Sequence, residues 1–232
     1  MKTVERLCPE ELEKLRTTTT PTIANAIERL KLRRNDEGYT NSTIRCFFPE
    51  LEPIAGYACT AVIRSGRPNP QPKCGVSRRP YWEHILQSPA PRIAVVQDLD
   101  QPPAGAYWGE VNSNIHKRLG CIGMITDGTV RDLDEVRALG FPFFASAVSV
   151  SHAYAHLEDF NVPVRVGGLD LRSGDLIVAD KHGAILIPEG AERQVIAAVR
   201  DVELYERPMI DLCGSPEFST RRLAELMEHG GV

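Results

Sequence analysis

The sequence lacks the features that mark several specialised classes of protein. No window approaches the roughly 18 consecutive apolar residues that a membrane span requires, so no integral membrane protein is expected. The net charge of -4 comes without any block of like charges, so the general footprint of a nucleic-acid-binding protein is missing. The segment VGGLDLRSG has glycines without the spacing of a phosphate-binding loop, so no nucleotide cofactor is indicated. Small anions must therefore be bound by a local site.

Cysteine pairs with the C-x-x-C spacing are also missing. The six cysteines are scattered, and the opening MKTVERLCPEEL has no apolar stretch resembling a signal peptide. A reducing cytoplasm therefore fits best. Cys59 and Cys121 lie inside apolar runs and are interpreted as small buried hydrophobic residues.

The length and composition are those of one ordinary globular unit. With 232 residues the chain exceeds an average domain but falls short of two, which predicts a single α/β domain over residues 1–232. The hydrophobic fraction of 42% and the charged fraction of 25% predict a real core.

Strand-like and helical segments alternate after residue 91. The expected elements are strands at 92–98, 121–126 and 142–147, with helices at about 108–119 and 133–139 between them. This alternation predicts parallel strands joined by crossover helices. Shorter strands at 162–166, 175–180 and 184–187 suit a meander or a second small sheet. The predicted architecture is mixed, with sheet packed on sheet and helices outside. By contrast, SGRPNPQPKCGVSRRP (65–80) is predicted to be a mobile, solvated loop, and its SRRP end is a weaker candidate for binding an anion.

The informative stretch is WGEVNSNIHKRLGCIGMITDGTVRDLDEV, residues 108–136, which contains two successive strand-to-helix loops. Ligands gather at the carboxyl ends of parallel strands. Each loop brings acidic residues to the start of a helix, namely Glu110 in the first loop and Asp127, Asp132, Asp134 and Glu135 in the second. Their convergence would form an oxygen-rich pocket suited to Mg²⁺ or Mn²⁺.

Two groups in this stretch are suited to an organic anion. Arg131 stands beside Asp132, and a fixed guanidinium is a two-pronged partner for a carboxylate or enolate oxygen. Unpaired backbone N–H groups near Val111 and Asn112, at the start of the first helix, would supply a second anion site. A metal, the arginine and these amides together describe a pocket for a 2-oxo acid.

The chemistry of these acidic residues is also compatible with a purely structural role. Asp132 followed by Glu135 also resembles a helix N-cap with a capping-box partner, and Asp134 would complement the helix dipole. Asp127-Gly128 is typical of a turn, and Glu110 could be an ordinary first-turn acid.

Residues 109–136 closely resemble the signature of the RraA-like family, which includes 4-hydroxy-4-methyl-2-oxoglutarate / 4-carboxy-4-hydroxy-2-oxoadipate aldolases and regulators of ribonuclease activity. The similarity runs over about residues 19–189, because TPTIANAIERL, EPIAGYACTAV, PFFAS and VPVRVGGLDLRSGDLIVADKHGAILIPE also resemble its characteristic blocks. The resemblance implies a three-layer β/β/α swivelling-type domain with mixed sheets, a core over 19–189 and peripheral terminal helices at 9–16 and 190–230. It also implies homotrimers or hexamers with active sites between subunits.

For the aldolase branch, the resemblance implies a divalent-metal-dependent lyase that cleaves a 4-hydroxy-2-oxo di- or tricarboxylic acid to pyruvate and a second oxo compound. Asp132 would be the direct ligand of Mg²⁺ or Mn²⁺, and Glu110 would contact the metal through water. Arg131 would hold the pyruvyl group, and the amides of Val111 and Asn112, next to Gly109, would bind the substrate carboxylate. Oxaloacetate decarboxylation is expected as a side activity. The alternative is a non-catalytic, protein-binding regulator of ribonuclease, against which the combination of Glu110, Arg131 and Asp132 argues.

Other candidates are weaker. The neighbouring subunit would supply an acid from its C-terminal region, for which the candidates are Glu203, Glu206 and Asp211.

His152 and His156 have the i, i+4 spacing of a helical zinc pair but are interpreted as a pocket rim or a subunit contact. Asp180 and His182 are interpreted as a hairpin turn. Lys117 and Lys181 are not needed as Schiff-base lysines.

Overall fold

The computed structural model describes residues 6–69 and 77–229. In this part of the chain the helices are α1 (Pro9–Thr17), α2 (Thr20–Arg29), α3 (Arg78–Gln87), α4 (Glu110–Arg118), α5 (Leu133–Leu139), α6 (Glu192–Cys213) and α7 (Thr220–His229). The strands are β1 (Arg45–Cys46), β2 (Ile54–Arg64), β3 (Arg92–Asp98), β4 (Ala106–Trp108), β5 (Cys121–Thr126), β6 (Thr129–Val130), β7 (Phe143–Ala145), β8 (Ala147–Val148), β9 (His156–Phe160), β10 (Val164–Val166), β11 (Leu169–Leu171), β12 (Leu176–Asp180) and β13 (Gly183–Leu186).

The largest sheet is mixed and is centred on the long strand β2. Within the described residues its strands follow the order β1-β7-β5-β3-β2-β12-β13, and β9 also pairs with β2. Strands β2, β3, β5 and β7 are parallel to one another, whereas β12 and β9 run antiparallel to β2. Since β3 pairs along one edge of β2, β12 and β9 share the other edge, at residues 54–57 and 61–64 respectively. The predicted parallel arrangement of the strands at 92–98 and 121–126 with the strand expected at 142–147 is confirmed, but the last is divided into β7 in this sheet and β8 in a separate sheet.

The central strands are apolar on both sides because both faces of the sheet are covered. One face, which includes Cys59, packs against the side of α3 that carries Tyr81 and Ile85. The opposite face, which includes Ala58 and Val95, packs against the antiparallel hairpin of β10 and β11. Of the strands expected at 162–166, 175–180 and 184–187, the first lies in this hairpin, whereas the other two correspond to β12 and β13 of the large sheet. The expected packing of sheet on sheet is present, but the membership of the small sheet was wrong.

A helical layer formed by α1, α2 and α6 covers the β12–β13 end of the sheet. Here Thr20 at the start of α2 donates from its backbone N–H and its hydroxyl to the buried carboxylate of Asp180, at 2.9 and 2.7 Å. Among the described residues, no helix is long and apolar enough to cross a membrane. The mixed α/β architecture with peripheral terminal helices agrees with the fold class expected from the sequence.

A separate small sheet positions the cleft described below. Strands β4, β6 and β8 are parallel, with Trp108 opposite Val130 and Thr129 opposite Ala147. The chain leaves β4 directly into α4, and it leaves β6 through Arg131 and Asp132 into α5. The two loops of residues 108–136 therefore meet at the carboxyl ends of adjacent short strands.

Several expected boundaries were wrong. The loop expected at 65–80 contains the start of α3, since Tyr81 and Ile85 share a buried helical face and Pro80 in the first turn leaves the helix intact. Residues 70–76 of that loop lie outside the described residues. The helical region expected at 190–230 is divided into α6 and α7, and residue 230 lies outside the described residues.

Candidate functional site

A cleft of about 230 Å³ opens at the carboxyl ends of β4 and β6. This position is expected, because ligands commonly bind at the carboxyl ends of parallel strands. However, the strands are the short ones of the small sheet rather than the predicted strand at 92–98. The lining residues are Arg78, Ala106, Tyr107, Gly109, Val111, Asn112, Arg131, Asp132, His152 and Ala155.

The carboxylate of Asp132 is directed across the cleft rather than back onto its own helix. Asp132 precedes α5 in the left-handed region, with φ 56° and ψ 47°, and its side chain makes no capping hydrogen bond to α5. Instead, Oδ2 accepts a hydrogen bond of 2.9 Å from the backbone N–H of Glu110. Asp132 occupies the N-cap position of α5, as the structural alternative predicted, but its side chain does not form the hydrogen bond that a capping box with Glu135 requires. Positive φ is uncommon outside glycine, and aspartate is one of the residues that adopt it most readily.

Gly109 allows this close approach. A Cβ atom at position 109 would overlap with Oδ2 of Asp132 and would lie 3.1 Å from Cγ of Arg131. Its φ of -161° is extended and open to any residue. The glycine is therefore required for space rather than for backbone conformation.

The start of α4 presents backbone donors to the cleft. The first intrahelical hydrogen bond runs from Ser113 N–H to the carbonyl of Gly109, at 3.0 Å. The N–H groups of Val111 and Asn112 precede that bond, so they point out of the N-terminal end of the helix. Both residues line the cleft, and the Val111 side chain is exposed. The structure thus places these two amides at the cleft, and their role as an anion site stays a prediction.

Arg131 lies on the same wall as Asp132. Its backbone N–H donates to the carbonyl of Trp108 at 3.0 Å, which fixes the end of β6 against β4. The Nε atom is 3.7 Å from Oδ2 of Asp132, and both side chains are half-buried. The Arg131 side chain thus lies at the wall of the cleft, with part of its surface exposed.

The other predicted acids do not converge on the cleft. Glu110 contributes its backbone N–H to Asp132, but its side chain is exposed on the first turn of α4 and does not line the cleft. Asp127 accepts a hydrogen bond of 2.7 Å from Asp98 N–H, and burial raises its pKa to about 6. Asp134 pairs with Arg137 at the surface, at 2.8 Å. Of the five acids expected to form an oxygen-rich pocket, Asp132 is the one that the cleft contains.

The other candidate groups lie in different surroundings. His152 lines the cleft, as the rim interpretation predicted, whereas His156 begins β9 and lies 3.0 Å from Glu158. The pair is not on a helix, and no group of three or more His, Cys, Asp or Glu residues that could hold a metal occurs among the described residues. Asp180 and His182 form the turn between β12 and β13, away from the cleft.

Sequence reasoning missed Arg78 and Tyr107 as parts of the cleft. Arg78 is the first residue of α3, in the SRRP segment that was interpreted as a solvated loop. The basic character of that segment was the available signal, but nothing in the sequence placed it near residues 108–132. Tyr107 belongs to β4, a strand too short to be recognised from periodicity.

A buried aromatic cluster supports the cleft from below. Trp108 and His116 are buried, with ring centroids 4.4 Å apart. Nδ1 of His116 lies 2.7 Å from the carbonyl of Asn112, which only accepts, so Nδ1 carries the proton in the neutral ring. Nε2 therefore accepts from the hydroxyl of Tyr81, at 3.2 Å. The bond to Tyr81 joins α3 to α4, whereas the bond to Asn112 orients the ring within α4.

Comparison with known proteins identifies relatives of two kinds. The sequence profile of the RraA-like family, described as Aldolase/RraA, matches residues 20–186. A Halalkalibacterium halodurans protein, provisionally named a 4-hydroxy-4-methyl-2-oxoglutarate aldolase, is 32% identical over 127 residues, covering 53% of this chain and 60% of the relative. The Thermus thermophilus protein named 4-hydroxy-4-methyl-2-oxoglutarate aldolase is 31% identical over 71 residues, covering 30% of this chain and 43% of the relative. The matches thus span less than two thirds of these curated relatives.

Solved structures extend the similarity over most of the chain. Streptomyces coelicolor RraAS2, described as an unusual member of the RNase ES inhibitor RraA protein family, superposes with a TM-score of 0.70 at 25% identity. That match covers 88% of this chain and 96% of the other. An uncharacterized protein from Pseudomonas syringae pv. tomato gives a TM-score of 0.72 at 21% identity, covering 96% of this chain and 98% of the other, and supports the fold alone.

Proposed function

The chain belongs to the RraA-like family, and on that premise we propose that it is a divalent-metal-dependent lyase. Its substrate would be a 4-hydroxy-2-oxo di- or tricarboxylic acid, cleaved to pyruvate and a second oxo compound. The observation that carries the proposal is the juxtaposition, in one cleft, of Arg131, Asp132 and the amides of Val111 and Asn112.

The residues fit Mg²⁺ or Mn²⁺ better than zinc. Magnesium is commonly held by one or two carboxylates, together with water and oxygens of the substrate. Asp132 offers one carboxylate that makes no capping bond to its own helix. Glu110 begins the adjacent helix, and its exposed side chain would have to turn towards the cleft to contact a cation through water. A bound cation would supply Lewis acidity, which draws electrons from the 2-oxo group.

The chain itself would bind and orient the substrate. The amides of Val111 and Asn112 would hold the carboxylate next to the 2-oxo group, because the positive end of the helix dipole favours an anion there. Arg131 would stabilise the negative charge that develops on the 2-oxo oxygen while the C3–C4 bond breaks. With its side chain turned towards the cleft, Glu110 would hold a water that takes the proton from the C4 hydroxyl and returns a proton to C3. Oxaloacetate decarboxylation would use the same groups.

A Schiff base is not part of the proposal. Lys117 donates to the carbonyl of Leu139, and Lys181 lies in the turn between β12 and β13. Neither of the two lines the cleft.

The test is release of pyruvate from 4-hydroxy-4-methyl-2-oxoglutarate, coupled to lactate dehydrogenase, with Mg²⁺ and with EDTA. Asp132→Asn keeps an oxygen that can accept from Glu110 N–H but removes the charge, so the fold should persist. We expect kcat/KM to fall by about 100-fold or more, because a cation held at this carboxylate would contribute several kcal/mol to the transition state. Asp134→Asn, on the exposed first turn of α5, is the matched control. Pyruvate release that survives both EDTA and Asp132→Asn would refute the assigned role.

The second candidate is a protein-binding regulator of ribonuclease, which is favoured by the similarity to Streptomyces coelicolor RraAS2. Such a protein would act through its surface and would not require the cleft. A pull-down on ribonuclease E, with wild type and Asp132→Asn in parallel, separates the two functions. Binding that is equal in both proteins, without pyruvate release from either, would favour the regulator.

A further inference from the structure

The cleft contains a second arginine that the proposed reaction does not use. Arg78 enters the cleft from α3, whereas Arg131 and Asp132 enter from the junction of β6 and α5. The lining therefore carries two guanidinium groups against one side-chain carboxylate. This charge exceeds what the single carboxylate of a pyruvyl group requires.

The charge of Arg78 is not balanced by a carboxylate in the part of the chain that the structure describes. Among residues 6–69 and 77–229, its guanidinium forms no ion pair with a carboxylate, while the adjacent Arg79 pairs with Glu83 at 2.8 Å. Arg78 also opens α3, whose first turn contains no acidic residue. A cation at this end of a helix is opposed by the helix dipole. The local structure thus destabilises the positive charge of an arginine at this position. A bound anion would offset this unfavourable electrostatic energy.

The helix that carries Arg78 is fastened to the helix that presents the amides. Tyr81 is fully buried on α3 and donates to Nε2 of His116 at 3.2 Å. Nδ1 of His116 in turn donates to the carbonyl of Asn112, whose residue lines the cleft. The start of α3 is therefore fixed relative to the proposed binding site for the first carboxylate. A fixed distance between two binding groups is what allows a protein to recognise a second anionic group on the same ligand.

We infer that Arg78 binds a second carboxylate, on the part of the substrate distal to the pyruvyl group. It would act as a specificity-determining residue, selecting 2-oxo acids with an anionic distal group over neutral analogues of the same length. The inference rests on the proposed function, since it assumes that the 2-oxo acid end lies against Arg131 and the two amides.

A pair of ligands of equal chain length isolates the distal charge. The full chain is titrated calorimetrically, in the presence of Mg²⁺, with 2-oxoglutarate and with 2-oxopentanoate, which lacks the distal carboxylate. We expect the wild type to bind 2-oxoglutarate about tenfold more tightly, as for one charge-assisted hydrogen-bonded contact. Arg78→Gln should remove this preference by weakening 2-oxoglutarate alone, and Arg78→Lys should retain part of it because the charge remains.

Arg79→Gln is the matched control, because it removes a neighbouring arginine that pairs with Glu83 outside the cleft lining. It should keep the full preference. If the preference survives Arg78→Gln, the role of Arg78 is overturned and the proposed function is unaffected. If the wild type binds both ligands equally, the same conclusion holds. If it binds neither, the 2-oxo acid site itself is refuted, and the role of Arg78 with it.

Discussion

The carboxylate of Asp132 accepts a hydrogen bond of 2.9 Å from the backbone N–H of Glu110, the first residue of α4. One side chain thereby links the two strand-to-helix loops of the small sheet. The link satisfies one of the donors at the start of α4 that its own helix cannot satisfy. It also holds the carboxylate beside the amides of Val111 and Asn112, so the anion site and the acid are built as one unit.

Gly109→Ala tests this arrangement. The added methyl group would overlap with Oδ2 of Asp132, which lies at the end of a flexible side chain, so Asp132 should move while the fold remains. We expect pyruvate release to fall by about tenfold or more, because small displacements of catalytic groups are costly. The thermal midpoint should change by only a few degrees, on the order of 1 kcal/mol or less.

Gly214→Ala provides the control for this substitution, because a Cβ atom there meets only ordinary contacts, at 3.7 Å from the carbonyl oxygen of Asp211. It should leave activity unchanged. Full activity in Gly109→Ala would mean that the position of Asp132 in this structure is not the one used in the reaction.

The long helices and strands could be predicted because the order of apolar and polar residues within each of them indicates which positions are buried. RIAVVQD has four consecutive apolar residues at its centre and forms β3 between two parallel neighbours. Strands β4 and β6 contain three and two residues, too few to show any period, so the sheet that positions the cleft was missed. Their pairing depends on contacts between distant parts of the chain, which local sequence does not encode.

The residues of the cleft also differ in whether the sequence could identify them. Gly109, Arg131 and Asp132 could be identified because they are close in sequence and match a family signature. The contribution of Arg78 depends on the docking of α3, through Tyr81, against His116 in α4. Nothing in the residues around position 78 specifies that distant contact, so its place in the cleft required the structure.

The buried His116 predicts a loss of stability in acid. Burial lowers its pKa to about 4, from 6.5 in an unperturbed histidine. Between these values the unfolded chain binds a proton that the folded chain does not, so the free energy of unfolding decreases as the pH falls from 6.5 towards 4. The expected contribution is on the order of 2 kcal/mol.

Urea unfolding at pH 7.5 and pH 4.5, in wild type and His116→Gln, measures this contribution by difference. The variant should be the less stable protein at pH 7.5, since it loses packing and hydrogen bonds. Its disadvantage should shrink at pH 4.5, because it has no imidazole to protonate. A difference that is the same at both pH values would contradict a neutral His116.

Asp127 predicts a pH dependence of the opposite sign. Burial raises its pKa from 3.8 to about 6. Here the folded chain binds the proton more tightly, so this group's contribution to stability is present below pH 3.8 and is lost as the pH rises through about 6. Asp127→Asn keeps an oxygen that can accept from Asp98 N–H and removes the buried charge.

We therefore expect Asp127→Asn to be more stable than wild type at pH 7.5, by about 1 kcal/mol after allowance for the partial exposure of the group. At pH 4 the two proteins should be nearly equal. Thermal unfolding at both pH values checks this, with Asp134→Asn as an exposed control that should show little change at either. An equal effect of Asp127→Asn at both values would show that its cause is packing rather than ionisation.

Asp180 is predicted to stabilise the fold without acting in the cleft. Its buried carboxylate accepts from the N–H and the hydroxyl of Thr20, at 2.9 and 2.7 Å, and from the N–H of His182 at 2.9 Å. These bonds fix the start of α2 to the turn between β12 and β13. Asp180→Ala would leave buried donors unsatisfied, so we expect the free energy of unfolding to fall by about 2–4 kcal/mol.

A double-mutant cycle with Thr20→Val should show coupling between positions 20 and 180, because the hydroxyl of Thr20 is a direct donor to the carboxylate. Below the unfolding temperature of the variant, kcat/KM for pyruvate release should match that of the wild type, since Asp180 does not line the cleft. A variant that remained stable but lost activity would place the turn between β12 and β13 in the reaction. In that case the assignment of the active cleft to the ends of β4 and β6 would have to be extended to the edge of the large sheet.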